Sequence, residues 1–474
     1  MRKALTGFSA LLFLTGLLLG FVAEGRGGAG SPGSNVPMTR PEEVIATHHT
    51  NFGHSSTFVQ LEDGRILQAA GTSFTVSSDG GVTWSKPAQR RDAKGAPVGD
   101  GTGHSLVKLS GKAIGLAATR TSPADRGRIV FWRSEDGGDT WSPPIAITGP
   151  SPFVFPISYQ DVFLRTSSGR IVLPFYVVMR QMKDNRQVGW GNRTPPFTGV
   201  LVSGQWVPAD AHYFDGAFGA VMVAYSDDDG RTWKLNQDGS LYILLDWSAV
   251  ISSVYEPSVA EVAPGRLLMM LRTGLGRLYQ SWSDNNGENW TRPEPTPLAA
   301  STAPAQIRRL PTGHLLVVWN QESEEEIRRG LSRTRLSAAI SRNGGSVWEF
   351  FQNVESQHET VRVPAPPIRP VRPTQIYSAP GQPAPDPGED ATFDPATLGR
   401  WSYPSVLVMK DRVLIAHTYS MWEQDKTKAV LERRGPGGAN QKLKVLPLKW
   451  FYGGKQPADN PSLLRLQQYE PAKP

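Results

Sequence analysis

The sequence predicts an all-β chain folded as a six-bladed β-propeller with four-stranded blades. Three observations point there. One eight-residue turn motif recurs five times and one apolar hairpin recurs six times. No stretch of the 474 residues carries the period of a long amphipathic helix.

The turn copies are Ser77-Ser-Asp-Gly-Gly-Val-Thr-Trp84, Ser134-Glu-Asp-Gly-Gly-Asp-Thr-Trp141, Ser226-Asp-Asp-Asp-Gly-Arg-Thr-Trp233, Ser283-Asp-Asn-Asn-Gly-Glu-Asn-Trp290 and Ser341-Arg-Asn-Gly-Gly-Ser-Val-Trp348. The consensus is S-x-D-x-G-x-T-W, degraded in the last two. An Asp or Asn side chain ties such a turn through backbone N–H groups, and the Trp packs between strands. The turns therefore diagnose architecture rather than chemistry. This pattern resembles the Asp-box of the sialidase-like β-propellers.

Each hairpin is an apolar strand, a Gly-containing or polar turn and a second apolar strand. The copies begin at Ser56, His104, Asp161, Pro257, Ile307 and Tyr403. Five are followed by a further strand and a box, so the count is six blades. Closing them into a ring removes most exposed strand edges.

Residues 1–25 read as a signal peptide: a basic start (Met1-Arg2-Lys3), an apolar run over 4–22, then small residues. The run approaches the ~18–20 residues that span a bilayer, so an uncleaved anchor is the other reading. A Gly/Pro linker covers 26–45 and the propeller 46–430, with insertions at 179–218 and 352–398. A basic tail, 431–474, follows. These features predict an exported protein, periplasmic or extracellular, with no membrane span after cleavage. The absence of cysteine excludes disulfides, thiolate metal sites and a cysteine nucleophile. The net charge of +7 is mild, and no nucleic-acid module accompanies it. Tail cations such as Lys442, Lys444, Lys449 and Lys455 read as solvated, or as a surface for acidic glycans or membranes. Neither a metal-ligand cluster nor a phosphate-cradling loop is present, so no metal and no cofactor are expected.

In a propeller, chemistry sits near the axis, where the innermost strands begin. Aligning the hairpins puts Glu256 and Tyr403 at equivalent positions, each before Pro-Ser and an apolar strand. Glutamate facing a phenol can take its proton and make tyrosine a nucleophile. A neutral nucleophile suits a sugar bearing a carboxylate at the reacting carbon, which would repel an anion.

Here the resemblance to the sialidase superfamily reaches individual residues. Glu256-Pro-Ser-Val through Arg272 resembles the segment supplying the glutamate partner and a carboxylate-binding arginine. Arg333-Thr-Arg335-Leu resembles the segment for another arginine, mapped to Arg333 with Arg335 as the alternative register. Tyr403-Pro-Ser-Val resembles the nucleophile segment. Paired guanidinium forks bind a carboxylate bidentately. Two departures stand out. Phe52-Gly53-His54-Ser55 occupies the place of the family's first-blade arginine motif, leaving His54, or His104 in blade two, as substitute donors. For the general acid/base, Asp125 in Arg120-Thr-Ser-Pro-Ala-Asp125 resembles the family's loop but falls one blade late, with Asp161 as rival.

What the resemblance implies is an exo-α-sialidase-like, retaining glycoside hydrolase acting on a terminal acidic sugar of a glycan. The other readings are a non-catalytic glycan-binding or scaffold propeller, and a polysaccharide lyase using Tyr403 as base.

Overall fold

The structure is a computed structural model. It describes residues 43–50, 56–122, 125, 127–149, 154–179, 182–183, 186–187, 199–202, 205–208, 218–244, 251–252, 254–328, 333–356, 360–368, 397–424, 430–433 and 439–463. The signal-like segment 1–25, His54, and most of both insertions lie outside these residues.

Six antiparallel sheets of four main strands form the propeller ring. In blades one to five the strands run in sequence order from the axis outward. Blade one is Thr57–Gln60, Ile66–Ala70, Ser73–Ser77 and Ala88–Gln89; blade four is Tyr255–Ala263, Arg266–Arg272, Arg277–Ser283 and Glu294–Ala299. Blade six breaks the pattern. Its two inner strands are Thr397–Val408 and Arg412–Gln424, the third is Gln441–Pro447, and the outermost is Ala46–Thr50 from the start of the domain. The stretch 431–474, expected as a tail, thus holds a strand of the ring. Among the described residues the only α-helix is the five-residue Glu324–Arg328, and no helix is long and apolar enough to cross a membrane.

Near-continuous apolar runs along the inner and middle strands, such as Leu315–Asn320, bury both faces of each sheet against its neighbours. The core accordingly divides into six clusters, one between each pair of adjacent blades. Phe74, Leu116 and Trp132 join blades one and two, while Phe58, Leu414 and Val445 join blades one and six across the closure.

The Asp-boxes sit between the third and fourth strands and hold as expected. Asp79 Oδ1 accepts from the Val82 and Thr83 N–H groups at 3.0 and 2.8 Å, and Oδ2 accepts from the Thr83 hydroxyl at 2.6 Å. These bonds, chiefly those from Thr83, lower the Asp79 pKa to about 2. Asp136 and Asp228 repeat the pattern. In the degraded fourth box Asn285 Oδ1 accepts from a single turn N–H, that of Asn289, and from the Ser283 hydroxyl, and Asp238 reaches in from blade three to accept from Trp290 N–H.

Around the axis, side chains on the inner strands bond backbone N–H groups of another blade. Thr57 accepts from Leu106 (2.6 Å), Ser105 from Val162 (3.0 Å), Ser258 from Ile307 (3.1 Å) and Gln306 from Val406. Ser405 accepts from the Asp161 N–H at 3.1 Å. This ring fixes one common register: Thr57, Ser105, Asp161, Ser258, Gln306 and Ser405.

Candidate functional site

Two residues before that ring, the chain enters each blade at the mouth of the axis. The positions are Gly103, Tyr159, Glu256, Pro304 and Tyr403, with the blade-one position outside the described residues. In blades two, four and six the pairing slips at this point, between Thr102 and Ser105, Tyr255 and Ser258, and Ser402 and Ser405. Such bulges re-aim side chains. The residue at the slip is left-handed in each case: Gly103 at φ +63°, Glu256 at +44° and Tyr403 at +54°. Gly103 meets this without strain, and a Cβ there would lie 2.3 Å from the Ile157 carbonyl oxygen. Glu256 and Tyr403 carry side chains, so each costs on the order of 1–3 kcal/mol, a cost found chiefly at functional sites.

Arg272 ends the second strand of blade four and brings the two together. Its Nη1 donates to Glu256 Oε2 in a short, buried ion pair and to the Tyr403 hydroxyl at 3.4 Å. Burial opposes the Arg272 charge, but Glu256 and Tyr403 more than offset this and raise its pKa. Nε donates to the Thr302 hydroxyl at 3.3 Å.

Arg333 arrives from blade five, also left-handed at φ +66°. Its guanidinium stands 5.1 Å from the Tyr403 ring centroid. It makes only long bonds, to the Ser402 hydroxyl (3.3 Å) and the Thr302 carbonyl (3.5 Å), and its buried Nε has no partner. No carboxylate pairs with it among the described residues, although it is 8% exposed. Arg335 is placed otherwise. It is spanned by Glu326 of the short helix at 3.0 Å and donates to the Gln321 carbonyl, so the alternative register is a structural ion pair.

Burial pushes the Tyr403 phenol above its ordinary range and Glu256 adds to this, while Arg272 and Arg333 act in the opposite direction. The arrangement therefore holds a protonated phenol beside a carboxylate, with two guanidinium groups ready to stabilise the phenolate. Tyr255, next to Glu256, is locked by close approach: a Cβ on Gly219 would lie 1.9 Å from its ring.

The remaining expected residues are not drawn into this cluster. His104 is buried, and its Nε2 lies 2.7 Å from the Gly99 carbonyl; burial lowers its pKa, so it is neutral. It occupies the register of Pro257 and Pro404, one residue past the mouth position. Asp161 belongs to the axial ring, accepting from the Ser105 hydroxyl at 2.7 Å and facing Arg308 at 3.6 Å. Asp125 pairs with Arg128 at 3.3 Å in the loop 120–128 of blade two.

Tyr159 is at the mouth register too, and the hairpin alignment does not find it. In blade three Gln160-Asp161 replaces the Pro-Ser that marks blades four and six. Its ring meets Tyr403 edge-on, with centroids 5.8 Å apart. A second missed residue is Glu322, fully buried under the start of the third strand of blade five. Its Oε1 accepts from Thr334 N–H at 3.1 Å, its Oε2 has no partner, and burial raises its pKa to about 7.

The family described as a BNR repeat-like domain matches residues 116–415, from the second strand of blade two to the second strand of blade six. The chain belongs to that family, and its six blades, five of them carrying an Asp-box, make it a propeller of the sialidase superfamily. Among solved structures it is similar to a protein of unknown function from Dyadobacter fermentans. Identity is 15% over 85% of this chain and 98% of that one, with a TM-score of 0.50. A Hadza microbial sialidase is 15% identical, over 86% of this chain and 67% of that one, at 0.48. An α-L-arabinofuranosidase from Fusarium graminearum is 13% identical, over 87% and 95%, at 0.45. Likeness at these identities concerns the fold alone. No curated protein matches significantly.

Proposed function

We propose that the chain is an exported, retaining glycoside hydrolase that removes a terminal acidic sugar from a glycan. The reading rests on one observation: a buried arginine without a carboxylate partner, Arg333, lies over Tyr403 and beside the Arg272–Glu256 pair. A buried guanidinium keeps its charge at every accessible pH and needs an anion. A sugar carboxylate held by Arg333 and Arg272 supplies one.

In the first step Glu256 takes the Tyr403 proton as the phenolic oxygen attacks the anomeric carbon. The bond to the leaving oxygen breaks, and that oxygen gains a proton. In the second step water attacks the tyrosyl–sugar bond and the phenol is restored. Arg272 and Arg333 favour the phenolate in both steps. Asp125 is our assignment for the group that protonates the leaving oxygen and later activates water. What supports this assignment is that its loop, between the second and third strands of blade two, lies at the end of the blade where the inner strand begins.

The test is release of 4-methylumbelliferone from its α-N-acetylneuraminic acid conjugate by wild type and Tyr403→Phe. Turnover by the wild type and a loss of at least ~10³-fold in the variant is the expected result. A folded wild type that binds sialosides without turnover would identify a binding propeller. Equal turnover by both proteins would remove Tyr403 from the mechanism.

A further inference from the structure

We propose that Tyr159 is a positioning residue for Tyr403, clamping the nucleophile's ring in the attacking orientation. The inference rests on the reading of Tyr403 as nucleophile.

Three observations carry it. The axial ring places Tyr159 in the same register as Glu256 and Tyr403, two residues before the inner-strand anchor. The mouth positions of blades two and five hold Gly103 and Pro304. Of the five described positions, only those of blades three, four and six therefore carry a polar side chain. Tyr159 is also held at both ends. Its hydroxyl is hydrogen-bonded to Thr102 of blade two, and its ring meets the Tyr403 ring at 80°. With Arg333 at 5.1 Å from the same ring centroid, Tyr403 is gripped by a guanidinium and an aromatic ring.

An edge-on aromatic pair is favourable beyond its buried area and fixes the relative orientation of the two rings. Misplacing a reacting atom by about 1 Å can cost on the order of 10²-fold in rate. The two phenols do not compete for Glu256. Burial raises the Tyr159 pKa, and Tyr403 and Glu256 add to this, with only the Thr102 bond opposing. The Tyr403 phenol is instead opposed by two arginines. Burial keeps both phenols protonated, and only that of Tyr403 faces two arginines that favour its phenolate.

The experiment compares Tyr159→Phe, Tyr159→Leu and Tyr159→Ala in the full chain with the fluorogenic sialoside above. Tyr159→Phe keeps the ring and retains kcat within about threefold. Tyr159→Leu and Tyr159→Ala lose kcat by roughly 10–100-fold with KM nearly unchanged. A loss in Tyr159→Phe equal to that in Tyr159→Ala would assign the role to the hydroxyl and overturn the clamp, as would full activity in Tyr159→Ala.

A second measurement needs no substrate. The alkaline difference spectrum of wild type minus Tyr403→Phe reports the Tyr403 titration. Tyr159→Leu lets water reach that phenol and lowers its midpoint, whereas Tyr159→Phe leaves it in place. An unmoved midpoint in Tyr159→Leu overturns the clamp whatever the activity. Failure of Tyr403→Phe to lose turnover would overturn the nucleophile reading instead.

Discussion

Two buried charge clusters in this propeller have the same formal composition and opposite character. The mouth holds Glu256 with Arg272 and Arg333. The other, called the closure cluster because its lysines lie on the closing strand Gln441–Pro447, sits between blades five and six and holds Glu355 with Lys442 and Lys444, beside His417. At the closure both ammonium groups reach the one carboxylate, at 2.6 and 2.8 Å, and His417 lies 3.5 Å away. Burial would raise the Glu355 pKa, but Lys444, His417 and Lys442 overcome this and hold it far below the carboxylate range. Burial lowers the Lys444 pKa to about 8, so above that pH this cluster can shed its surplus charge by losing a proton. At the mouth only Arg272 reaches the carboxylate, and an arginine cannot shed its proton. Three of the mouth's four charged or reacting residues are left-handed (Glu256, Arg333 and Tyr403), whereas no closure residue is. One cluster sets every lysine against a carboxylate; the other leaves Arg333 without one among the described residues.

Substitutions should separate the two. Glu355→Gln leaves two buried ammonium groups uncompensated. It is expected to cost about 3–5 kcal/mol, read by denaturant unfolding, without changing KM. The loss should shrink as pH rises past 8 and Lys444 deprotonates. An unchanged stability would erase the contrast.

Glu322→Gln tests a carboxyl that belongs to neither cluster but holds the strand behind Arg333. The folded pKa is about 7, against an ordinary 4.5, so over that window the folded state binds a proton the unfolded chain has released. Stability therefore falls as pH rises through the window, by about 3 kcal/mol in all. The Gln variant should show a curve flatter by that amount.

Arg333→Met removes an uncompensated buried charge. It should leave the melting temperature unchanged or raise it, while lowering kcat/KM for an acidic sugar by ~10²-fold. A large loss of stability would make Arg333 structural after all. The smallest effect is expected from Asp136→Ala, which opens one box turn far from both clusters and should lower the melting temperature by roughly 2–4 °C with activity intact.

The same contrast governs what the sequence discloses. Box turns are legible because Ser, Asp, Gly and Trp are bonded to one another within eight residues. Glu256 and Tyr403 are legible as a pair because both stand before Pro-Ser, which marks the bulge that makes them left-handed. Tyr159 escapes because Gln160-Asp161 replaces that mark. Counting two residues back from Asp161, aligned on Ser258 and Ser405, would have found it. Lys442 and Lys444 read as solvated because blade six has no box after its hairpin to announce a third strand. In the structure both are buried on Glu355, so a role for these two in binding acidic surfaces falls away. Lys449 and Lys455 do remain exposed. Glu322 has no signal in one sequence, since its pKa is made by burial.

The outermost strand of blade six, Ala46–Thr50, pairs along its whole length with Gln441–Pro447. Thr50 and Gln441, joined side chain to side chain, are 391 residues apart. Blades one to five can each complete their sheets as the ribosome delivers them. The sixth must wait until Gln441–Pro447 is made and finds the first strand, so the ring locks last, and the slow step in folding should be this closure. The same adjacency makes the molecule a natural subject for circular permutation. A peptide bridge across the closure, with new ends cut in an exposed turn between blades, should keep the mouth intact while relocating the last event of folding.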